Sequence, residues 1–413
     1  MEEKKSDENK CMENSNINTN LSEDTEKLYT TLNLGPTHPA THGIFQNILK
    51  MEGETIIDAE QTIGYIHRAF EKIAERRPYY QVTPLTDRLN YCSAPINNFG
   101  WYMTVEKLLN LETSKRIDYM RVIVMELARI TDHIICNSVV GVDSGALTGF
   151  TYMFQMRELV YEIYEEISGA RLTTNMGRIG GFERDFSKAA WEKINEFLKK
   201  FPKVLREFEK LLMRNRIFMD RTIHVGGISV ERALNYGFSG PNLRAAGVDM
   251  DIRVMSPYSS YQDFEFTIPV GTHGDTYDRF CVRQTEMWES LKIIKQAIDN
   301  LPAGKYYMDN PGIYLPPKEQ VYSKMEALIW HFKIVMGEAG YPPGELYFSV
   351  EGANGELGFY LVSDGGRTPY RLHFRRPCFI YYQAFPEMIR GGVLSDAILT
   401  MSSMNVIAGE LDA

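Results

Sequence analysis

The chain has 413 residues, of which 44% are hydrophobic and 24% charged, a balance that describes a globular protein with a large core or two to three domains. Its formal net charge of -9 argues against nucleic-acid binding, which needs a clustered basic face. Apolar runs are interrupted before the roughly 18 to 20 residues of a membrane helix, and no basic stretch followed by an apolar one marks a signal peptide. Cys11, Cys92, Cys136, Cys281 and Cys378 are odd in number and scattered, with no Cys-x-x-Cys among them. That is the usage of a reducing compartment, not a disulfide framework.

Residues 1–27 hold no aromatic residue and are mostly Glu, Asp, Lys, Asn and Ser, so they read as a disordered acidic tail. "LYTTLNLG" and "GIFQNILKMEGETIIDAEQTIG" carry β-favouring residues and a Glu-Gly turn, predicting a hairpin in a β part over about 28–64. Residues 65–139 read mainly as helix, with Ile117, Met120, Val124, Leu127 and Ile134 at helical spacing. "TGFTYMFQMRELVYEIYEEISGA" predicts a helix ending near Gly169, and "AAWEKINEFLKKFPKVLREFEKLLMRNRIF" an amphipathic one interrupted by Pro202. These segments suggest a bundle over about 65–220. The mixed remainder, about 221–413, opens with a Gly- and Pro-rich stretch and contains a helix in "DRFCVRQTEMWESLKIIKQAIDNL". It adds another around "YSKMEALIWHFKIVMGEAG" and an antiparallel pair in "GELYFSVEGA" and "GELGFYLVSDGG". The pattern predicts an α+β fold, a helix-rich bundle with small antiparallel sheets.

"GPTHPATHG", residues 35–43, sets two imidazoles four apart. On a helix His38 and His42 could share a zinc ion, but Pro36, Pro39 and Gly43 make this a loop. A loop histidine has no core-packing role, so it is either an idle surface group or a chemical one. Arg88, Tyr91 and Cys92 precede Pro95 at a predicted helix-to-loop junction, where a phenol can donate to a reacting oxygen but more often lines a core edge. His67 and His133 lie beside charged residues and read first as surface or satisfied core groups. Asp143, between Gly141 and Gly145 on a loop joining two helices, is either an N-cap for the second helix or an acid that orients a histidine. "GDTYDRF", "DGGR" and "GRIGG" lack the spacing and context of a nucleotide-binding loop.

Taken in order, "LNLGPTHPATHG", "IGYIHRAFEK", "TPLTDRLNY", "DSGALT", "RIGG", "GPNLRAAGVDMDIR", "GDTYDRF", "ESLKIIKQAI", "NGELGFYLVSDGGRTPYRL" and "GELDA" resemble the D-subunit family of bacterial NADH-quinone oxidoreductase, respiratory complex I. The resemblance covers residues 29–413 and implies a fold similar to the large subunit of nickel-iron hydrogenases. Those enzymes hold their metal with two Cys-x-x-Cys pairs. Here the matching regions are "RLNYCSAP" and "NVIAGELDA", with one cysteine where four are needed, so no metal is expected in this chain.

The resemblance implies that the former metal cavity receives a quinone headgroup. The quinone would enter between this chain and the B subunit, taking electrons from a tetranuclear iron-sulfur cluster held there. NADH binds elsewhere in the complex. His42 matches the histidine bonding one quinone carbonyl, Tyr91 the phenol bonding the other, and Asp143 the acid partnering the histidine. His38 is the loop's second imidazole, and Arg68 matches an arginine near the cluster. The implied partners are the B, C and I subunits and the membrane-embedded H subunit, with the chain peripheral on the cytoplasmic side of the inner membrane. The chemistry fits: two-electron reduction of a quinone puts charge on two oxygens and takes up two protons, which an imidazole paired with a carboxylate and a phenol can supply. Two other readings are weaker. A scaffold with an empty cavity requires none of His42, Tyr91 or Asp143, and a hydrogenase lacks its cysteines. The family commonly ends in an acid-Arg pair; here Ala413 stands after Asp412.

Overall fold

One helix, Lys115–Asp143, organises the protein, and it has almost no solvent-facing side. The computed structural model describes residues 29–38, 41, 43–308, 315–336 and 340–413; the expected tail over residues 1–27 and His42 lie outside them. The architecture is α+β, with helices around three small antiparallel sheets. In the first sheet, β1 (Thr30–Leu34) pairs with β2 (Gln46–Glu52), and β2 with β3 (Thr55–Thr62). The expected hairpin is β2–β3, and the histidine loop is the connection from β1 to β2. β4 (Gly177–Arg178) and β5 (Gly181–Phe182) form a minimal pair. β6 (Gly344–Glu351) and β7 (Glu356–Ser363) are the expected late pair, extended by β8 (Arg371–Arg375), which the sequence pattern did not reveal.

The central helix packs against Thr276–Asp299, Leu147–Ser168 and Leu394–Met404, while Ala94–Leu108 lies across β6 and β7. Leu147–Ser168 ends as expected, with Gly169 in the left-handed region at φ 80°. Lys188–Leu212 buries Ala190, Ile194, Phe197, Phe201, Leu205, Phe208 and Leu212, a stripe at steps of three and four. Pro202 does not interrupt it; the helix runs through and ends at Leu212, separate from the short helix Arg216–Thr222. Residues 65–93, expected to be mainly helical, instead form short turns of helix and 3₁₀ helix. The Gly- and Pro-rich stretch after residue 221 holds the short helices Val230–Tyr236, Gly240–Ala245 and Ile252–Met255. There, capping by Ser229 and Asp251 sustains helices of one or two turns that periodicity cannot detect.

Every residue from Tyr119 to Ile134 is buried, including Arg121, Glu126, Arg129, Asp132 and His133. The apolar stripe read from the sequence is therefore only one side of a fully enclosed helix, and its polar side enters an ionic network. Glu126 accepts from Arg129, Arg253, Tyr261 and Ser290, the last at 2.6 Å. Arg253 also holds Asp251 at 2.6 Å. Arg244 bonds Glu286 at 2.9 Å and Glu351 at 2.8 Å, and His133 Nε2 lies 2.7 Å from Glu286. Burial holds the His133 imidazole below its ordinary pKa although Glu286 opposes this. With His133 neutral, the acids Glu126, Asp251, Glu286 and Glu351 outnumber the guanidinium groups of Arg129, Arg244 and Arg253. Burial and neighbouring Asp251 push the Glu351 carboxyl upward, while Arg244, Arg129 and Arg253 oppose the shift.

Two apolar clusters divide the interior. One fills the bundle and the β6–β8 sheet. The other joins the first sheet to the C-terminal helices through Leu34, Phe45, Leu49, Ile56, Tyr381, Ala397 and Met401. Bonds from Ile56 N to Gly392 O (2.9 Å) and from Gly391 N to Ile56 O (2.8 Å) fasten this junction.

Candidate functional site

The histidine loop curls around Thr41, which is fully buried. Its N–H donates to the His38 carbonyl at 3.1 Å, and its hydroxyl lies 2.9 Å from that oxygen and 3.2 Å from the Pro36 carbonyl. Ile44 N then donates to Thr41 O at 3.1 Å. Gly35 is needed where the loop begins: at φ +98°, a Cβ there would lie 2.6 Å from both Thr41 Oγ1 and Phe45 O. Leu34 and Phe45, at the two ends of the loop, belong to the second apolar cluster, and Tyr91 packs against the same cluster. The fold thus brings the loop's base and the "RLNY" tyrosine to one region.

Tyr91 opens the 3₁₀ turn Tyr91–Ser93, which leads into Ala94–Leu108, so the junction runs from loop to helix and not the reverse. Asn90 fixes that turn. Its side-chain oxygen accepts from Cys92 N at 3.1 Å, its amide donates to Asp132 at 2.7 Å, and its carbonyl accepts from Asn97 at 2.9 Å. Burial is the main cause that pushes the Tyr91 phenol well above its ordinary pKa; Cys92, Asp132 and Cys378 add to it and Arg157 opposes it. The hydroxyl is consequently a neutral donor throughout the physiological range.

Behind Tyr91 runs a buried polar chain. Asp132 accepts from Asn90 and, at 2.5 Å, from Asn405, whose amide also reaches Asn354 at 2.6 Å. Asn354 donates to Glu410 at 3.2 Å, and Glu410 accepts from the Cys378 thiol at 3.0 Å. Tyr381 completes the chain, 2.8 Å from Cys378 Sγ and from Asn405 O. Burial raises the thiols of Cys92, Cys136 and Cys378, so all three are protonated, unreactive core groups. Among the described residues no group of three or more His, Cys, Asp or Glu side chains is arranged to hold a metal ion.

Asp143 is not on a loop and does not cap the next helix. It is the last residue of Lys115–Asp143, and the following helix is preceded by Ala146 without a side-chain cap. The Asp143 carboxylate accepts a hydrogen bond from the hydroxyl of Ser402. Arg68 is exposed on the loop after β3. That loop is tied to the C-terminal segment: the Asp412 carboxylate accepts from Gly64 N at 2.9 Å and Ile66 N at 3.1 Å, and His67 Nδ1 lies 2.7 Å from Asp412 O. Arg376 donates to the Ala413 carbonyl oxygen. Asp132, Glu410, Arg157 and Ser402 do not stand out in the sequence, and their roles here arise from contacts between distant segments. For Glu410 the "GELDA" motif holds a signal, an acid in a short terminal run.

The "GELDA" helix, Ala408–Asp412, sits directly on the segment that leads to Tyr91. A Cβ on Gly409 would lie 2.6 Å from Leu89 O and nearer still to Arg88 O. Gly409→Ala must displace one backbone from the other, by an ångström-scale shift that carries Tyr91 with it. Any activity that depends on the placement of Tyr91 is expected to fall about tenfold. Unchanged activity with normal assembly would separate Tyr91 from the chemistry.

The profile of the family described as "Respiratory-chain NADH dehydrogenase, 49 Kd subunit" matches residues 143–413. The chain is 72% identical over 387 residues to the second D subunit of NADH-quinone oxidoreductase from Cytophaga hutchinsonii, covering 93% of this chain and 98% of that one. It is 71% identical over 385 residues to the D subunit of the Flavobacterium johnsoniae NADH-quinone oxidoreductase, covering 93% of each. It is also 48% identical over 384 residues to the C/D subunit of the Bdellovibrio bacteriovorus NADH-quinone oxidoreductase, covering 93% of this chain and 69% of the relative. A helix-rich α+β chain matched in this way falls in the class of respiratory-chain dehydrogenase subunits. It belongs to the 49 kDa subunit family of NADH dehydrogenase, whose bacterial members are the D subunits of NADH-quinone oxidoreductase. It is therefore part of an oxidoreductase complex, and no helix among the described residues is long and apolar enough to cross a membrane.

Proposed function

We propose that this chain forms the wall of a quinone headgroup site, with Tyr91 donating to one carbonyl oxygen and His42 to the other, and Asp143 partnering His42. The observation that carries the reading is the Tyr91 phenol, kept neutral by burial at the base of the histidine loop and backed by a fixed polar chain. Reduction places negative charge on both quinone oxygens, and a neutral phenol held in one orientation stabilises that charge as it develops. Electrons come from a tetranuclear iron-sulfur cluster held by the B subunit, and NADH is oxidised elsewhere in the complex. Arg68, on an exposed loop braced by Asp412, is in this reading the arginine near that cluster, and His38 the loop's second imidazole near the headgroup. The B, C, I and H subunits are the neighbours in this reading, and the chain is peripheral, on the cytoplasmic side of the inner membrane.

A photoreactive quinone analogue applied to the assembled complex tests the placement. Labelling is expected within residues 35–45 or 88–92 of this chain and should be competed away by unmodified quinone. Competable labelling confined to other segments or to other chains of the complex would overturn the assignment.

A further inference from the structure

We propose that Ser402 is the positioning residue for the Asp143 carboxylate, holding it for its partner in the quinone site; this rests on the reading of Asp143 given above. Asp143 ends a 29-residue helix, where the outward carbonyl dipoles disfavour a negative charge, so an ionised carboxylate there needs a donor. Ser402 supplies one from a different helix, Leu394–Met404. Its single proton has two acceptors within reach, the Asp143 carboxylate and the Ile398 carbonyl at 2.9 Å. With Asp143 ionised, the hydroxyl donates to the carboxylate. With Asp143 protonated, the acid donates to Ser402 Oγ and the serine proton turns to Ile398 O, so one pair of heavy atoms is satisfied in either state.

The serine is itself held in place. Arg283 donates to Ser403 O at 2.6 Å and to Asn242 at 2.8 Å, and Asn242 in turn donates to Met404 O at 3.2 Å. Arg279 donates to Ser403 Oγ at 2.9 Å, and the Cys136 thiol lies 3.6 Å from Ser402 O. Two buried arginines therefore clamp the end of the helix that presents Ser402, and Cys136 ties it to the helix that carries Asp143. A hydroxyl anchored from behind in this way restricts where the carboxylate can point.

The test uses the assembled complex with Ser402→Ala, Asp143→Asn and the pair combined. Ser402→Ala should lower kcat for quinone reduction roughly fivefold, the scale of one lost hydrogen bond, with KM within about twofold. It should add nothing further in the Asp143→Asn background, because a residue acting only through Asp143 has no effect once that acid is gone. NADH oxidation by an acceptor that draws electrons upstream of quinone reports assembly. Should the alanine variant fail to assemble, the isosteric pair Ser402→Thr and Ser402→Val decides, with threonine active and valine impaired. Full activity in Ser402→Ala or Ser402→Val beside an impaired Asp143→Asn would overturn the positioning role alone. Additive losses would overturn it too, by showing that Ser402 acts elsewhere. Full activity in Asp143→Asn would instead sink the site reading on which the proposal rests.

Discussion

Tyr91→Phe should lower quinone reductase activity by roughly ten- to a thousandfold while leaving the complex assembled. That is the scale expected for removing one donor aimed at developing charge. The ring keeps its packing against the cluster that contains Leu34 and Phe45, and the turn beneath it depends on Asn90, whose bonds do not involve the phenol. Loss of the hydroxyl thus removes chemistry without removing structure. Because burial pushes the phenol above its ordinary pKa, raising the pH to about 10, where an ordinary tyrosine is half ionised, should not titrate it in the unmodified complex. NADH oxidation by an upstream acceptor serves as the reference, since an assembly defect lowers both activities together. Full quinone reduction in the phenylalanine variant would move the headgroup away from Tyr91.

Arg244→Met should have the largest effect on stability, and it works far from that chemistry. Arg244 is fully buried, and its guanidinium bonds Glu286, Glu351 and the Met250 carbonyl. Burial pushes Glu286 upward, but Arg244 and His133 outweigh it and hold the carboxyl far below its usual range. Without the cation these acids remain enclosed and uncompensated. Removing one partner of a buried pair in this way costs about 3–5 kcal/mol, comparable to much of a domain's net stability. Recovered complex should fall below roughly a tenth of the wild-type yield, given that shift in the folding equilibrium. Glu286→Gln added to Arg244→Met should restore part of it, because one unpaired charge is then gone. Wild-type yield and melting temperature in Arg244→Met would mean that the network contributes little.

What the sequence disclosed follows from how local each signal is. Pro36, Pro39 and Gly43 are enough to deny "GPTHPATHG" a helix, and the turn around Thr41 agrees. The β2–β3 pair and the helix ending at Gly169 were equally readable, since turn and cap residues sit beside the segments they terminate. Tyr91 and Asp143 entered as candidates from their local setting, a phenol just before Pro95 and an acid between two glycines, and only the match of their motifs to the family gave them roles at a quinone. Asp143 reads as a loop residue because Gly141 and Gly145 flank it, yet Gly141 is enclosed within the helix. Ser402 lies 259 residues from the acid it bonds, and nothing in either neighbourhood announces the other. The surroundings of the helix around Glu126 were hidden for a different reason. Charged residues on one helix face ordinarily mean water, whereas here they mean partners drawn from residues 251–290 and 351.

The enclosed helix also sets a schedule for biogenesis. Arg129 donates to the carbonyls of Glu351 and Gly352, the latter 223 residues further along the chain. At the usual pace of synthesis those acceptors leave the ribosome about 10–45 s after Arg129 does. During that interval the helix carries Glu126, Arg129 and His133 without the late partners that enclose them. Its polar side meanwhile lacks the Thr276–Asp299 helix, which will supply Glu286 and Ser290. The nascent chain therefore holds its future core open until translation is nearly complete, and a pause or truncation before residue 351 leaves a client for chaperones and proteases rather than a smaller folded domain.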